Sequence, residues 1–417
     1  MVRSFFVALA LALGVTAEPG PAPRQPTPTP VPKSVLAVFF HEVGPGSELA
    51  RVDPLTLKAR RVLRLTNGGG WATAFSPDRK TLAISGGMGM ATVELVDLRR
   101  MRSRGVVDLD MTGGVNFLFW ERGQGLYAVV DDYDRRAVVS IDPVSRTIQA
   151  RHALNGTILQ VKRGLPGQVV LLLGPRTGIG PLRLAVVGGK GLTEAPVPKL
   201  TGGTSMERAG EDVRVREEIP ALVVDRGGRR AFVSARGGTV AEISLDDLSV
   251  TTHALSEPVS VLQRVRNWLE PAADAKIVEG YYRSGEWVGD GRFAVTGTDF
   301  AVEESTEAAL TIVDTEAWTI RTAAKGGADL AVTGQALLTF GFHENDGIRG
   351  YDLAGEERFH LFRGEGAWIQ LVRGLAYVQL GDGHRIAAID PALGRKIGGA
   401  RVDRPIMLVD DPPTPLE

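Results

Sequence analysis

An all-β fold, a closed ring of repeated four-stranded units, is what the sequence predicts, on three observations. A strand-ending aspartate returns about every forty residues, at Asp53, Asp97, Asp142, Asp246, Asp314, Asp352 and Asp390. Apolar alternating runs stand on both sides of each, so each marks a hairpin. A spare strand-like segment, 405–409, lies at the far end of the chain. Together they predict a β-propeller of eight four-stranded blades, with seven as the alternative count, closed by the C-terminal strand joining the first blade. The aspartate side chain accepts hydrogen bonds from backbone N–H groups just beyond it, and a following proline, as at Pro54, Pro143 and Pro391, presets the turn.

Residues 1–17 have the pattern of an export signal: Arg3, an apolar stretch over 5–15, and small or modest residues at Val15 and Ala17 around a cleavage point. The apolar stretch is shorter than the roughly twenty residues a spanning helix needs, and no later run reaches that length. The chain is therefore expected to be secreted or held at the exterior of the cell envelope, with no transmembrane segment after cleavage. Residues 18–33 form a linker with proline at 19, 21, 23, 26, 28, 30 and 32. Such spacing favours polyproline II, at ~3.1 Å per residue a spacer on the order of 40 Å. The propeller is expected over 34–411 and a short proline-containing tail over 412–417.

From Ser34 the chain divides into units of strands A to D with the aspartate at the C–D turn. The second unit is the clearest, with strands at 72–75, 82–85, 92–96 and 104–109; the fourth, beginning at 158, keeps the rhythm without the aspartate. The first unit has 35–40, 48–52 and 58–65 but no strand A, and 405–409 is available to supply it. That pairing removes the exposed edges of a linear array. Two insertions interrupt the rhythm. Residues 201–218 are densely charged and read as a solvated loop. Within 256–280, Val261, Leu262, Val265, Trp268 and Leu269 recur at helical spacing, which predicts a helical insertion near 258–280, a lid or partner helix on the ligand face.

Composition narrows the function. A net charge of −1 argues against nucleic acid or an anionic membrane as partner. The absence of cysteine removes disulfides, thiolate metal sites and thiol nucleophiles. No nucleophile elbow, zinc-protease helix, P-loop or dinucleotide fingerprint occurs in a supporting context.

The segment FSPDRKTLAIS at 75–85 resembles the strand-turn-strand of WD40-like and YVTN-type propellers, and SIDPVSRTI at 140–148 resembles half of a YVTN repeat. Segments 218–255 and 258–300 are similar to parts of uncharacterised secreted bacterial propeller proteins. The resemblance implies blades and a bacterial exported setting; it implies no chemistry.

In such a ring the D–A and B–C loops emerge on one face, where ligands usually meet it. The B–C loops collect the candidate ligand-binding residues His41, Glu42, Asp131, Asp132, Asp134, Asp299, Glu303, Glu304, His343, Glu344, Asp346, Asp382 and His384. Carboxylates and imidazoles converging there could hold a divalent cation, the one cofactor this pattern admits, or act as acid and base. The D–A loops are glycine-rich, as in Asn67-Gly68-Gly69-Gly70, and Trp71 stands where one enters strand A. The reading preferred on these residues is a monomeric, non-catalytic binding or scaffold module for a protein or cell-envelope ligand. The alternative is a lactonase-like hydrolase or lyase using a metal or acid–base pair among His41, Glu42, Glu303, Glu304, His343, Glu344 and His384.

Overall fold

The structure, a computed structural model, describes residues 27–409 except 41–45, 88, 121–124, 133–134, 166, 190, 210–211, 256–277, 301–304, 342–345 and 382. The chain opens with β1 (Val35–Phe39), β2 (Glu48–Val52) and β3 (Ala59–Arg64). One antiparallel sheet follows from β4 (Thr73–Phe75), β5 (Thr81–Ser85), β6 (Met90–Asp97) and β7 (Arg102–Thr112). The next comprises β8 (Gly114–Trp120), β9 (Leu126–Asp131), β10 (Arg136–Asp142) and β11 (Thr147–Leu154). Then come β12 (Thr157–Arg163), β13 (Val169–Gly174), β14 (Gly178–Gly188), β15 (Gly191–Ala209) and β16 (Asp212–Ile219). A separate sheet holds β17 (Ala221–Val224), β18 (Arg230–Ser234), β19 (Thr239–Ser244) and β20 (Val250–Ala254). After it run β21 (Val278–Gly289), β22 (Arg292–Phe300), β23 (Thr306–Asp314) and β24 (Ile320–Gly326). Two more four-stranded sheets hold β25 (Asp329–Val332), β26 (Leu337–Phe340), β27 (Ile348–Tyr351) and β28 (Glu357–Leu361), then β29 (Ala367–Val372), β30 (Leu375–Leu380), β31 (Arg385–Asp390) and β32 (Arg395–Arg401). The last strand is β33 (Ile406–Leu408).

β33 pairs with β1, Ala37 opposite Leu408 and Phe39 opposite Ile406, so the first sheet is completed from the other end of the chain. Two expectations are overturned. Eight separate four-stranded blades, or seven, do not form: hydrogen bonding gives six four-stranded sheets and one nine-stranded sheet in the order β12-β13-β14-β15-β16-β21-β22-β23-β24. The cause is the segment expected to be a loop at 201–218. It is strand: β15 runs on to Ala209 and returns as β16, which pairs antiparallel with β15 and parallel with the start of β21, Val215 opposite Val278 and Ile219 opposite Tyr282. The helical insertion is the other correction. No helix occurs among the described residues; Val261, Leu262, Val265, Trp268 and Leu269 lie outside them, and 278–280, the end of the expected helical stretch, begin β21. No helix of the described residues is long and apolar enough to cross a membrane.

The burial pattern gives the radial order. The second strands β1, β5, β13 and β26 are buried at every position because neighbouring sheets cover both their faces, whereas the outermost β3 and β11 are exposed or alternate. The core is a series of apolar layers between facing sheets, such as Val93, Leu95, Leu118, Leu126 and Val139 between the sheets of β4–β7 and β8–β11.

The aspartate turns form with a common geometry. Asp53 accepts from the Leu55 and Thr56 N–H groups at 3.1 and 3.0 Å, and Asp314 from those of Glu316 and Ala317 at 2.9 and 2.8 Å. The backbone then enters the left-handed region at a non-glycine residue, with φ +54° at Leu57, +48° at Met101, +61° at Arg146, +59° at Leu248 and +53° at Trp318. One turn differs from expectation: Asp247 rather than Asp246 accepts from the Ser249 N–H at 3.1 Å, because Ser244 occupies the strand-ending position and Leu248 N–H bonds to its carbonyl.

These bonds set a pH dependence. The Thr56 N–H holds the Asp53 carboxyl below the ordinary 3.8, the Arg100 N–H that of Asp97, the Ser145 hydroxyl that of Asp142 and the Ala317 N–H that of Asp314. The Ser244 hydroxyl and Ser249 N–H bring Asp247 to about 2. A carboxyl more acidic in the fold than in the unfolded chain stabilises fully above the unfolded value and loses that contribution as pH falls through the folded one. The melting temperature should therefore drop between pH ~4 and ~2, more shallowly in Asp142→Asn/Asp314→Asn. Identical slopes for variant and parent would count against this account.

The segment ahead of β1 is tied down before the strand begins. Thr29 donates its N–H and its hydroxyl to the Asp390 carboxylate at 3.0 and 2.9 Å. Asp390, 2% exposed, also accepts from the Ala392 N–H of its own turn.

Candidate functional site

Of the B–C loop residues, His41, Glu42, Asp134, Glu303, Glu304, His343, Glu344 and Asp382 lie outside the described residues. The rest are engaged locally. Asp131, at the end of β9, pairs with Arg136 at the start of β10 at 2.6 Å and so closes its own hairpin. Asp132 accepts from the Thr112 hydroxyl. Asp299 receives Arg283 at 2.7 Å and faces Arg236 at 3.9 Å. Asp346 pairs with Arg349 at 2.7 Å and with the His360 ring at 3.2 Å. His384 meets the Val402 carbonyl through Nδ1 at 3.1 Å. Each described acid is thus neutralised by, or hydrogen-bonded to, a neighbour in its own or the adjoining hairpin. Among the described residues no three His, Asp or Glu side chains are grouped to hold a metal ion.

What the same face does present is Trp71. Its ring is 64% exposed and lies 4.5 Å from that of Phe40, at the mouth of the first B–C loop. The loop carrying it, 66–72, is held by a fully buried carboxylate. Glu94, at the middle of β6 and 0% exposed, accepts from the N–H groups of Thr66 and Asn67 at 2.7 and 3.1 Å. Asn67 in turn accepts from the Gly69 N–H at 3.1 Å and donates to the Ile84 carbonyl at 3.2 Å. The Gly70 N–H donates to the Ser85 carbonyl at 2.7 Å and that of Ala72 to the Ser85 hydroxyl at 3.1 Å. Gly70 sits so close to the next strand that a Cβ would fall 2.0 Å from the Gly86 carbonyl oxygen. A buried carboxylate is tolerated only when its hydrogen bonds are made, and here they are made by the backbone and the Thr66 hydroxyl of this one loop. Trp71 therefore stands on a stiff pedestal. At the end of β1, Arg404 lies over the Phe39 ring at 4.8 Å and pairs with Glu48 at 2.7 Å.

The ring interior carries a second polar group of side chains that the sequence did not single out. Lys162 of β12 forms an ion pair with Glu286 of β21, and Gln160 donates to the Arg283 carbonyl at 3.3 Å. The sheet of β17–β20 packs between the β12 and β21 strands, so these bonds must pass on its inner side. The Ser284 hydroxyl donates to Asp329 at the start of β25. Burial pushes the Asp329 carboxyl toward its neutral form, and burial, helped by Asp329, raises the Tyr282 phenol to about 12. Protein side chains thus bridge part of the channel. Of the other tryptophans, Trp120 donates to the Ala74 carbonyl at 2.9 Å, Trp287 stacks on Phe232 and Trp318 on His253, whereas Trp368 is exposed and meets the Phe340 ring edge-on, and Trp268 lies outside the described residues.

No family model matches the chain, and no curated protein does. Solved structures do. Dihydro-heme d1 dehydrogenase NirN in complex with DHE is 14% identical, over 92% of this chain and 76% of that one, with a TM-score of 0.56. Sqt1 of Chaetomium thermophilum is 14% identical, over 81% of this chain and 87% of that one, with a TM-score of 0.54. The Dos1 propeller is 12% identical, over 81% and 85%, with a TM-score of 0.49. Identities this low speak to fold alone, and the fold of this chain is the β-propeller.

Proposed function

We propose that the chain is an exported binding module of the WD40-like and YVTN-type propeller kind, which engages a protein ligand of the cell envelope through its D–A/B–C face, with Trp71 as the anchor. The observation that carries this is the exposed indole on a loop immobilised by buried Glu94. Energetic anchors at protein interfaces are enriched in tryptophan, and a loop already rigid loses little entropy on binding. The Lys162–Glu286 bridge inside the ring supports recognition at the surface over chemistry in the channel. Export rests on the pattern of residues 1–17, and the repeat type on 75–85 and 140–148.

The test is retention of envelope proteins on the immobilised full chain, compared with Trp71→Ala and with Val144→Ala, whose side chain is 69% exposed on the opposite face. Trp71→Ala should weaken retention of the bound partner at least about tenfold, ~1.4 kcal/mol or more, with no effect at Val144. Equal retention by Trp71→Ala, or loss in the Val144 variant alone, would overturn the reading.

A further inference from the structure

On the face opposite Trp71, between the sheets of β4–β7 and β8–β11, lies a pocket of about 310 Å³. At ~30 Å³ per water it has room for about ten waters, the lower end of the size of small-ligand sites. It opens where the A–B turn of one sheet, after β4, meets the C–D turn of the next, after β10; Arg104, near the start of β7, and Trp120, at the end of β8, complete its lining.

Most of the wall is apolar and rigid. Trp120 packs on the end of the apolar layer between the two sheets, and its indole N–H is already spent on the Ala74 carbonyl, so the ring carbons rather than a donor line the pocket. Pro77 and Pro143 add a second pair of flat rings, one from each turn, and Val144 forms an exposed rim.

The polar part of the lining is charged on one side only. The Ser76 hydroxyl donates to Asp78 at 2.7 Å and accepts from the Thr81 N–H at 2.9 Å; Asp78 also takes the Lys80 N–H at 3.1 Å and its ammonium at 3.2 Å. The acid of this pocket is thereby satisfied. Arg104 is exposed and held at one end, donating to the Thr81 hydroxyl at 3.2 Å, and among the described residues no carboxylate pairs with it. Arg146 crosses from the neighbouring sheet to donate to the Arg104 carbonyl at 2.9 Å, lying so flush that a Cβ on Gly105 would stand 2.1 Å from its guanidinium nitrogen. It brings a second cation to the same seam, also without a carboxylate partner among the described residues. A guanidinium matches the two oxygens of a carboxylate, and flat apolar walls match an aromatic ring.

We propose that this pocket binds a small aromatic carboxylate, its ring packed against Trp120, Pro77 and Pro143 and its carboxylate on Arg104. The site is independent of Trp71 and of any protein ligand held there.

The experiment is calorimetric titration of the full chain with phenylacetate, cinnamate and indoleacetate, each against its neutral amide, and with acetate. At least one aromatic acid should bind saturably, its amide at least about tenfold more weakly, and acetate not at all. Arg104→Gln should weaken the acid by a similar factor while leaving the amide unchanged, a split that loss of folded protein would not produce. Val144→Asp, which sets a like charge at the rim, should abolish binding of the acid, and Trp71→Ala should bind it as the parent does. Both Arg104 and Val144 are exposed, and circular dichroism confirms that each variant is folded. No saturable binding by any of the three acids, equal affinity for acid and amide, or affinity undiminished in both Arg104→Gln and Val144→Asp overturns the proposal.

Discussion

Leu408→Asp is expected to open the ring. Leu408 is 1% exposed, packs in the apolar layer with Val372, Tyr377 and Ile386, pairs with Ala37 and donates its N–H to the Gln370 side-chain oxygen at 2.8 Å. Truncating a buried leucine to alanine costs about 2–5 kcal/mol, and an unpaired buried carboxylate adds a desolvation cost to that. Since whole domains are stable by only about 5–15 kcal/mol, the aspartate variant should lose β33 from β1 and expose the edge of a fully buried strand, a template for association. Urea denaturation should show Leu408→Ala destabilised within the stated range, and size-exclusion chromatography should show Leu408→Asp aggregated. A Leu408→Asp chain that stays monomeric with parental stability would mean that the terminal strand does not hold the ring.

Gly280→Val should uncouple the nine-stranded sheet. Gly280 has φ +134°, a conformation side chains rarely adopt, and a Cβ there would stand 1.8 Å from the Glu217 carbonyl oxygen, on the strand with which it pairs in parallel. Backbone strain of this kind costs about 1–3 kcal/mol by itself, and the overlap is with backbone, which cannot swing aside. Hydrogen exchange should accelerate at the amides of 215–219 and 278–282 while those of the separate β17–β20 sheet stay protected. Unchanged protection across 215–219 would contradict the pairing of β16 with β21.

Local chemistry was legible in the sequence, and so was the pairing that closes the ring; the other long-range pairings were not. The aspartate turns were readable because Asp53, Asp142 and Asp314 act within three residues of themselves, and the closing strand because the first unit visibly lacked one. The charged run 201–218 misled because its density of Glu, Asp and Arg fits a solvated loop, although Val213, Arg214, Val215 and Arg216 alternate as a strand does; what decides is Val278 and its neighbours, far along the chain. Asp246 was read as the strand-ending residue, although Ser244, two residues earlier, holds that position. The Trp71 pedestal had a signal in Glu94, a charge inside the apolar strand around Val93 and Leu95. The interior cluster had one too: Gln160 and Lys162, then Tyr282, Ser284 and Glu286, are polar at every second position of innermost strands, one side of each strand. Nothing within either stretch told that Lys162 and Glu286 would meet.

The fastening of Thr29 to Asp390 has a mechanical meaning. Tension applied to the chain ahead of Thr29 would be delivered first to the carboxylate of the neighbouring sheet, and only after those two bonds gave way to β1 and its partner β33. The ring thus carries a strain relief, like a cable clamped to its housing beside the plug, that keeps a tug on the preceding residues from unzipping the joint on which the closed circle depends.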